Sequence, residues 1–108
     1  MEVRITSRHT DLSDNLRRRT EEVVTKLSKY EPRISAAEVV FDEEKRSKTA
    51  EGIIHVDRSD PVVASGEAEE FGGALNQMVE RLSKQLRRRH DRIRDHKAPK
   101  LSEAQAEE

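Results

Sequence analysis

The sequence predicts an α+β fold in two layers, a four-stranded sheet with both helices on one face, in the order β-α-β-β-β-α. Three observations predict it. Short segments that alternate apolar and polar residues read as half-buried strands. Two longer segments place an apolar residue at every third or fourth position, as amphipathic helices do. Leu, Ile, Val and Phe total only 23 of 108 residues, which supports one thin core and no large interior cavity. Residues 1–97 are therefore read as a single domain, and the small, polar and acidic residues 98–108 as a disordered tail.

The first strand covers Glu2–Arg8, with Val3 and Ile5 facing one way and Arg4 and Thr6 the other. Ser13 is the expected N-cap of the first helix, Asp14 lies in its first turn, and Lys26 and Lys29 stand near its end. Its apolar line is Leu12, Leu16, Val23, Leu27 and Tyr30, broken at Thr20, and Pro32 stops it. Ile34–Asp42 follows as a strand with Ala37, Val39 and Phe41 on one face, then Glu43–Lys48 as a polar connection. Thr49–Asp57 alternates again, with Ala50, Gly52, Ile54 and Val56 opposite Glu51, Ile53 and His55. Asp57–Pro61 carries turn chemistry, and Val62–Ala68 is a short fourth strand of undecided parity.

The second helix begins near Glu69, with Phe71, Leu75, Met78, Leu82, Leu86 and Ile93 in line. Arg89 falls on that same line, so continuous burial should end near Leu86; Pro99 ends the helix at the latest. The β-α-β start implies parallel strands with a right-handed crossover, and the remaining strands continue as an antiparallel meander.

Several chemistries are set aside by composition. The chain has no cysteine, which removes disulfides, thiolate metal sites and thiol catalysis together. His90 and His96 are six apart on a helix, about 120° out of line and unsuited to holding one metal. His9 beside Asp11 reads as a strand-end hydrogen bond, and His55 as a residue of the exposed sheet face. Gly72-Gly73 reads as room for a closely packed helix, because no phosphate-cradling glycine motif surrounds it. Glu43-Glu44 reads as solvated. No catalytic residue, metal ligand or cofactor is assigned, and the expectation is a protein that is not an enzyme and takes no small-molecule substrate. The N-terminus lacks the regions of a signal peptide and no apolar run could span a membrane, so a cytoplasmic protein is expected.

The net charge of −1 conceals an uneven distribution. Between Arg81 and Lys97 eight cations face only Asp91 and Asp95, a net of +6 that leaves −7 on the rest of the chain. A polyanion-binding surface needs this arrangement: attraction on one face and repulsion elsewhere. At about 100° per residue, Arg81, Lys84, Arg88 and Arg92 share a strip about 16 Å long beside the apolar line. Arg87 and Arg94 lie on the opposite flank. The first helix adds Arg17, Arg18, Arg19, Lys26 and Lys29, and the first strand Arg4 and Arg8. The competing reading is a solvated helix face, since cations are favoured near a helix C-terminus. Against it, the acidic partners that would neutralise these cations at helical spacing are mostly missing between Arg81 and His90.

The exposed sheet face would carry Glu38, Asp42 and Glu51, which repel phosphate, and only Tyr30, Phe41 and Phe71 are aromatic. That excludes a base-stacking platform, and no GxxG loop is present. Binding should therefore be led by phosphate contacts and selective for shape.

Three segments carry a resemblance: Val63-Ala64-Ser65-Gly66, the acidic pair Glu69-Glu70, and Arg81-Leu82-Ser83-Lys84-Gln85-Leu86-Arg87-Arg88. With the opening Val3-Arg4-Ile5-Thr6-Ser7-Arg8-His9 and the helix from Leu16 to Tyr30, they make residues 1–97 similar to the ribosome hibernation-promoting factor family. The resemblance implies the same fold, and binding to 16S rRNA of the small (30S) ribosomal subunit in the channel that holds messenger RNA and tRNA anticodon ends. The rRNA-binding positions it implies are Arg81, Lys84, Arg87, Arg88 and Arg92, with Arg4, Arg8, Lys26, Lys29 and Arg94 as a further set. Such a protein idles the ribosome under stress or in stationary phase, and this one would be of the short type, a monomer off the ribosome. One departure is Gly72-Gly73 after Phe71, where the family often has an aromatic. Two alternatives stay open: a protein-partner module of the sigma-factor modulator kind, and a general double-stranded RNA-binding domain.

Overall fold

The computed structural model describes the backbone of residues 1–97 and the side chains through Arg89. The expected tail, 98–108, lies outside the described residues. The elements are β1 (Glu2–Arg8), α1 (Asp14–Thr25), a 3-10 turn (Lys26–Lys29), β2 (Ile34–Glu44), β3 (Ser47–Val56), β4 (Val62–Ala68) and α2 (Phe71–Lys97). The strands form one sheet in the order β1-β2-β3-β4. β1 runs parallel to β2, while β2, β3 and β4 are antiparallel to one another. Fold class and strand directions thus agree with the sequence reading.

Both helices bury onto the same face of the sheet. Val24 and Leu27 from the first half of the chain and Leu75, Met78, Leu82 and Leu86 from α2 meet Ala37, Val39, Phe41, Ala50 and Ile54 in one core. Ser13 caps α1 as expected, its Oγ accepting from the Leu16 amide at 3.1 Å. The gap in the apolar line at Thr20 is also buried: the Thr20 hydroxyl donates 2.7 Å to the Leu16 carbonyl, so the polar atom enters the core already paired. Val24, absent from the expected line, is fully buried.

Four local expectations need correction. The first helix does not continue regularly to Tyr30; it tightens after Thr25 into the 3-10 turn that carries Lys26 and Lys29. The polar segment Glu43–Lys48 is mostly strand, and only Lys45 and Arg46 separate β2 from β3. Glu43 and Lys48 face each other across the ladder and pair at 3.6 Å, so their charges stabilise the sheet instead of breaking it. The second helix starts at Phe71, two residues later than expected. Finally, a Cβ added at Gly72 would meet nothing within 4 Å, so packing does not require that glycine, whereas one at Gly73 would approach the Ala68 side chain at 3.1 Å.

The close approach of α2 depends instead on Gly52 and Gly66. A Cβ at Gly66 would stand 2.3 Å from the Ala74 carbonyl oxygen, and one at Gly52 would stand 2.9 Å from Leu82 Cδ1 and Met78 Sδ. The parity of β4 follows: Val62 and Gly66 turn inward, and Val63, 45% exposed, turns outward. Inside β2 the ladder slips between Ile34 and Ala36, which lets even-numbered Ile34 and odd-numbered Ala37, Val39 and Phe41 share the buried face.

Candidate nucleic-acid interface

The described cations of α2 occupy five different environments. Lys84 is exposed and lies 3.9 Å from Glu80, one turn back on the same helix. Arg88 is exposed, with no hydrogen-bond or ion-pair partner among the described residues. Arg81 is exposed too, but one of its guanidinium nitrogens donates 2.6 Å to the Ser65 carbonyl of β4. Together with Ala64, Ser65 and Gln85, these three cations line an open recess of about 320 Å³ between α2 and the β4 edge. A recess of this kind, walled by three positive side chains and open to solvent, suits a phosphodiester better than an apolar ligand.

Arg87 points to the other flank of α2, as expected, and lies over the ring of Tyr30 at 5.6 Å. Lys29 approaches the same ring at 5.1 Å. Tyr30 therefore gathers one cation from α2 and one from the 3-10 turn, a junction the charge pattern alone did not reveal. Lys26 is exposed on that turn.

Arg89, which shares the apolar line, is held against the β3–β4 turn. Its guanidinium donates to the Ser59 hydroxyl at 2.8 Å and to the Asp60 carbonyl at 2.5 Å, tying α2 to the β3–β4 turn. Arg19 of α1 donates 3.0 Å to Asn76 Oδ1 and links the two helices. Arg92 and Arg94 belong to the helix backbone of α2, but their side chains, with those of His90 and His96, lie outside the described residues.

Arg4 and Arg8 stand on the opposite face of the sheet, because alternation in β1 sends Val3, Ile5 and Ser7 toward the helices. Arg4 pairs with Glu2 at 3.3 Å. The structure thus gathers Arg81, Lys84 and Arg88 on one flank of α2, Arg87 and Lys29 around Tyr30, and leaves Arg4 and Arg8 apart from both.

That outer sheet face holds the carboxylates. Glu38 accepts from or pairs with His55 Nε2 at 2.8 Å, and Glu51 is exposed at its centre. His9, read as a partner of Asp11, instead contacts Asp42 at 2.9 Å from its Nδ1, because β1 runs beside β2 and ends next to Asp42. The hydrogen bond from His9 and the Glu43 amide hold the Asp42 carboxyl below the usual carboxylate range, outweighing its partial desolvation. Two further features escaped the sequence reading. Gln77 and Gln85 bond the β4 backbone, a role that their four-residue spacing with Arg81 and Arg89 could have suggested. Glu31 is 3% exposed and is wrapped by Arg33 through its amide and guanidinium at 2.9–3.1 Å.

Among the described residues no group of three or more His, Cys, Asp or Glu side chains could hold a metal ion, and no helix is long and apolar enough to cross a membrane.

Known proteins resemble this chain along most of its length. The ribosome hibernation promoting factor of Azotobacter vinelandii is 31% identical over 86 residues, 80% of this chain and 79% of that protein. The ribosome hibernation promoting factor of Escherichia coli K12 is 27% identical over 96 residues, 89% of this chain and all of that protein. In fold, a ribosomal subunit interface protein from Coxiella burnetii superposes with a TM-score of 0.78 at 21% identity, over 84% of this chain and 99% of that one. The N-terminal domain of Thermus thermophilus Protein Y superposes at 0.74 with 22% identity, over 82% and 98%. The model of the sigma 54 modulation protein / S30EA ribosomal protein family matches residues 3–94, and with the shared fold and the relatives above, this chain belongs to that family.

Proposed function

We propose that this chain is a ribosome-binding hibernation factor that idles translation by occupying the mRNA and tRNA channel of the small subunit. The names of its relatives support a ribosomal partner. The observation that carries the finer reading is the recess lined by Arg81, Lys84 and Arg88, exposed on one flank of α2 beside the β4 edge. Phosphates of 16S rRNA fit that chemistry: three cations along one helix flank reach successive backbone groups without reading bases. Arg87 and Lys29, held around Tyr30, extend the contact to the second flank. Inhibition is by occlusion, with no bond made or broken, and the protein acts as a cytoplasmic monomer until it meets the subunit.

The test is co-sedimentation of the full chain with purified 30S particles. Lys84→Glu with Arg88→Glu should abolish it while circular dichroism stays unchanged, since neither side chain is buried. Wild-type binding should weaken steeply with salt, and each cation neutralised should lower the log–log slope by about one. Retention of the double variant on 30S particles, with an unchanged slope, would show the strip to be a solvated helix face.

A further inference from the structure

β4 is the last strand of the sheet, and its outer edge has no strand partner. An open edge presents backbone N–H and C=O groups that recruit any extended chain, above all an identical one. In β4 the outward groups belong to Val63, Ser65 and Glu67, on alternate residues. α2 covers them from the side. Gln77 Oε1 accepts from the Glu67 amide at 3.1 Å, Arg81 donates to the Ser65 carbonyl at 2.6 Å, and Gln85 donates to the Val63 carbonyl at 2.9 Å. Arg89, one turn further along α2, donates to the Asp60 carbonyl of the β3–β4 turn, beyond the strand.

The series has a geometric cause. Four residues of helix advance about 6 Å, and two residues of strand advance about 6.6 Å. A helix running antiparallel beside an edge strand therefore keeps every fourth side chain level with every second backbone group. The chain places a long amide or guanidinium at each such position along β4, with the acceptor at Gln77 where it meets an N–H and donors at Arg81 and Gln85 where they meet a C=O. Two of the three are uncharged, so this row is more than a by-product of a basic strip.

We propose that the Gln77–Arg81–Gln85 row is an edge closure that keeps β4 from pairing with the β4 of a second copy of this chain. By taking the Glu67 amide and the Ser65 and Val63 carbonyls, it occupies half of the backbone groups an added strand would need. The inference does not depend on a ribosomal partner, and its decisive residue is uncharged, so its failure and that of the function above are distinguishable.

Amide hydrogen exchange on the full chain tests the closure directly. Glu67 should exchange slowly although it lies on an open edge. Gln77→Ala should speed its exchange about tenfold, while Gln77→Glu, which keeps an acceptor oxygen, should preserve the slow rate. Equal Glu67 rates in all three proteins overturn the proposal. Sedimentation velocity supplies the second arm. The triple variant Gln77→Ala, Arg81→Ala, Gln85→Ala should form a concentration-dependent dimer in which the Val63 and Ser65 amides become protected, at concentrations where the wild type is monomeric. A folded triple variant that stays monomeric at those concentrations overturns it too, and if the triple variant does not fold, the Gln77 pair decides.

Discussion

Gly66 of β4 lies directly under the Ala74 carbonyl of α2: a Cβ added to the glycine would stand 2.3 Å from that oxygen and 2.9 Å from the Met78 amide nitrogen. Both neighbours are helix backbone and cannot swing aside. Gly66→Ala should therefore push the helix off the sheet and cost about 3 kcal/mol in urea unfolding, at the upper end for overpacking. Gly52→Ala should cost less, about 1 kcal/mol, because it meets the flexible ends of Met78 and Leu82.

Gly72 gives the opposite expectation. It sits in the first turn of α2 with open space around it and no positive φ. Gly72→Ala should raise stability by up to about 1 kcal/mol, by removing backbone freedom from the unfolded chain. A midpoint shift in the same urea titration measures it.

The His9–Asp42 contact sets an acid dependence. Because Asp42 titrates lower in the folded than in the unfolded chain, its contribution is complete above the ordinary carboxylate range and is lost as pH falls through its lowered folded-state value. His9 holds a left-handed backbone at φ 61°, so His9→Asn, which tolerates that conformation, is the suitable replacement. In this variant, carboxyl titration by NMR should show Asp42 moving up toward its ordinary value. An unmoved Asp42 would assign the shift to the Glu43 amide and the nearby Arg8 charge instead of His9.

Arg89 and the recess cations should separate cleanly by assay. Arg89→Ala loses the bonds to Ser59 and Asp60 and should cost about 1 kcal/mol, since the site is half open to solvent. It should leave 30S co-sedimentation close to wild type. Lys84→Glu with Arg88→Glu should do the reverse, sparing the melting temperature and abolishing the complex.

The sequence by itself determined the element order, the parallel start and antiparallel continuation of the sheet, the buried faces of β2 and β3, and the cation-rich flank of α2. The elements and faces follow from periodicity and composition, which act over a few residues, and the strand directions from the connection rules for a β-α-β start. Parity in β4 was undecided because Val62 and Val63 are both apolar; only the pairing with β3 and the seat of Gly66 beneath α2 resolve it. Likewise Glu43 and Lys48 looked like loop until the ladder set them opposite each other. The division of the basic residues was also tertiary. Arg81, Arg87, Arg88 and Arg89 are equivalent as letters, yet one bonds the β4 edge, one lies on Tyr30, one is exposed on the helix flank and one ties a turn. A charge declares its sign in the sequence, but its partner is whatever the folded chain brings within about 3 Å of it.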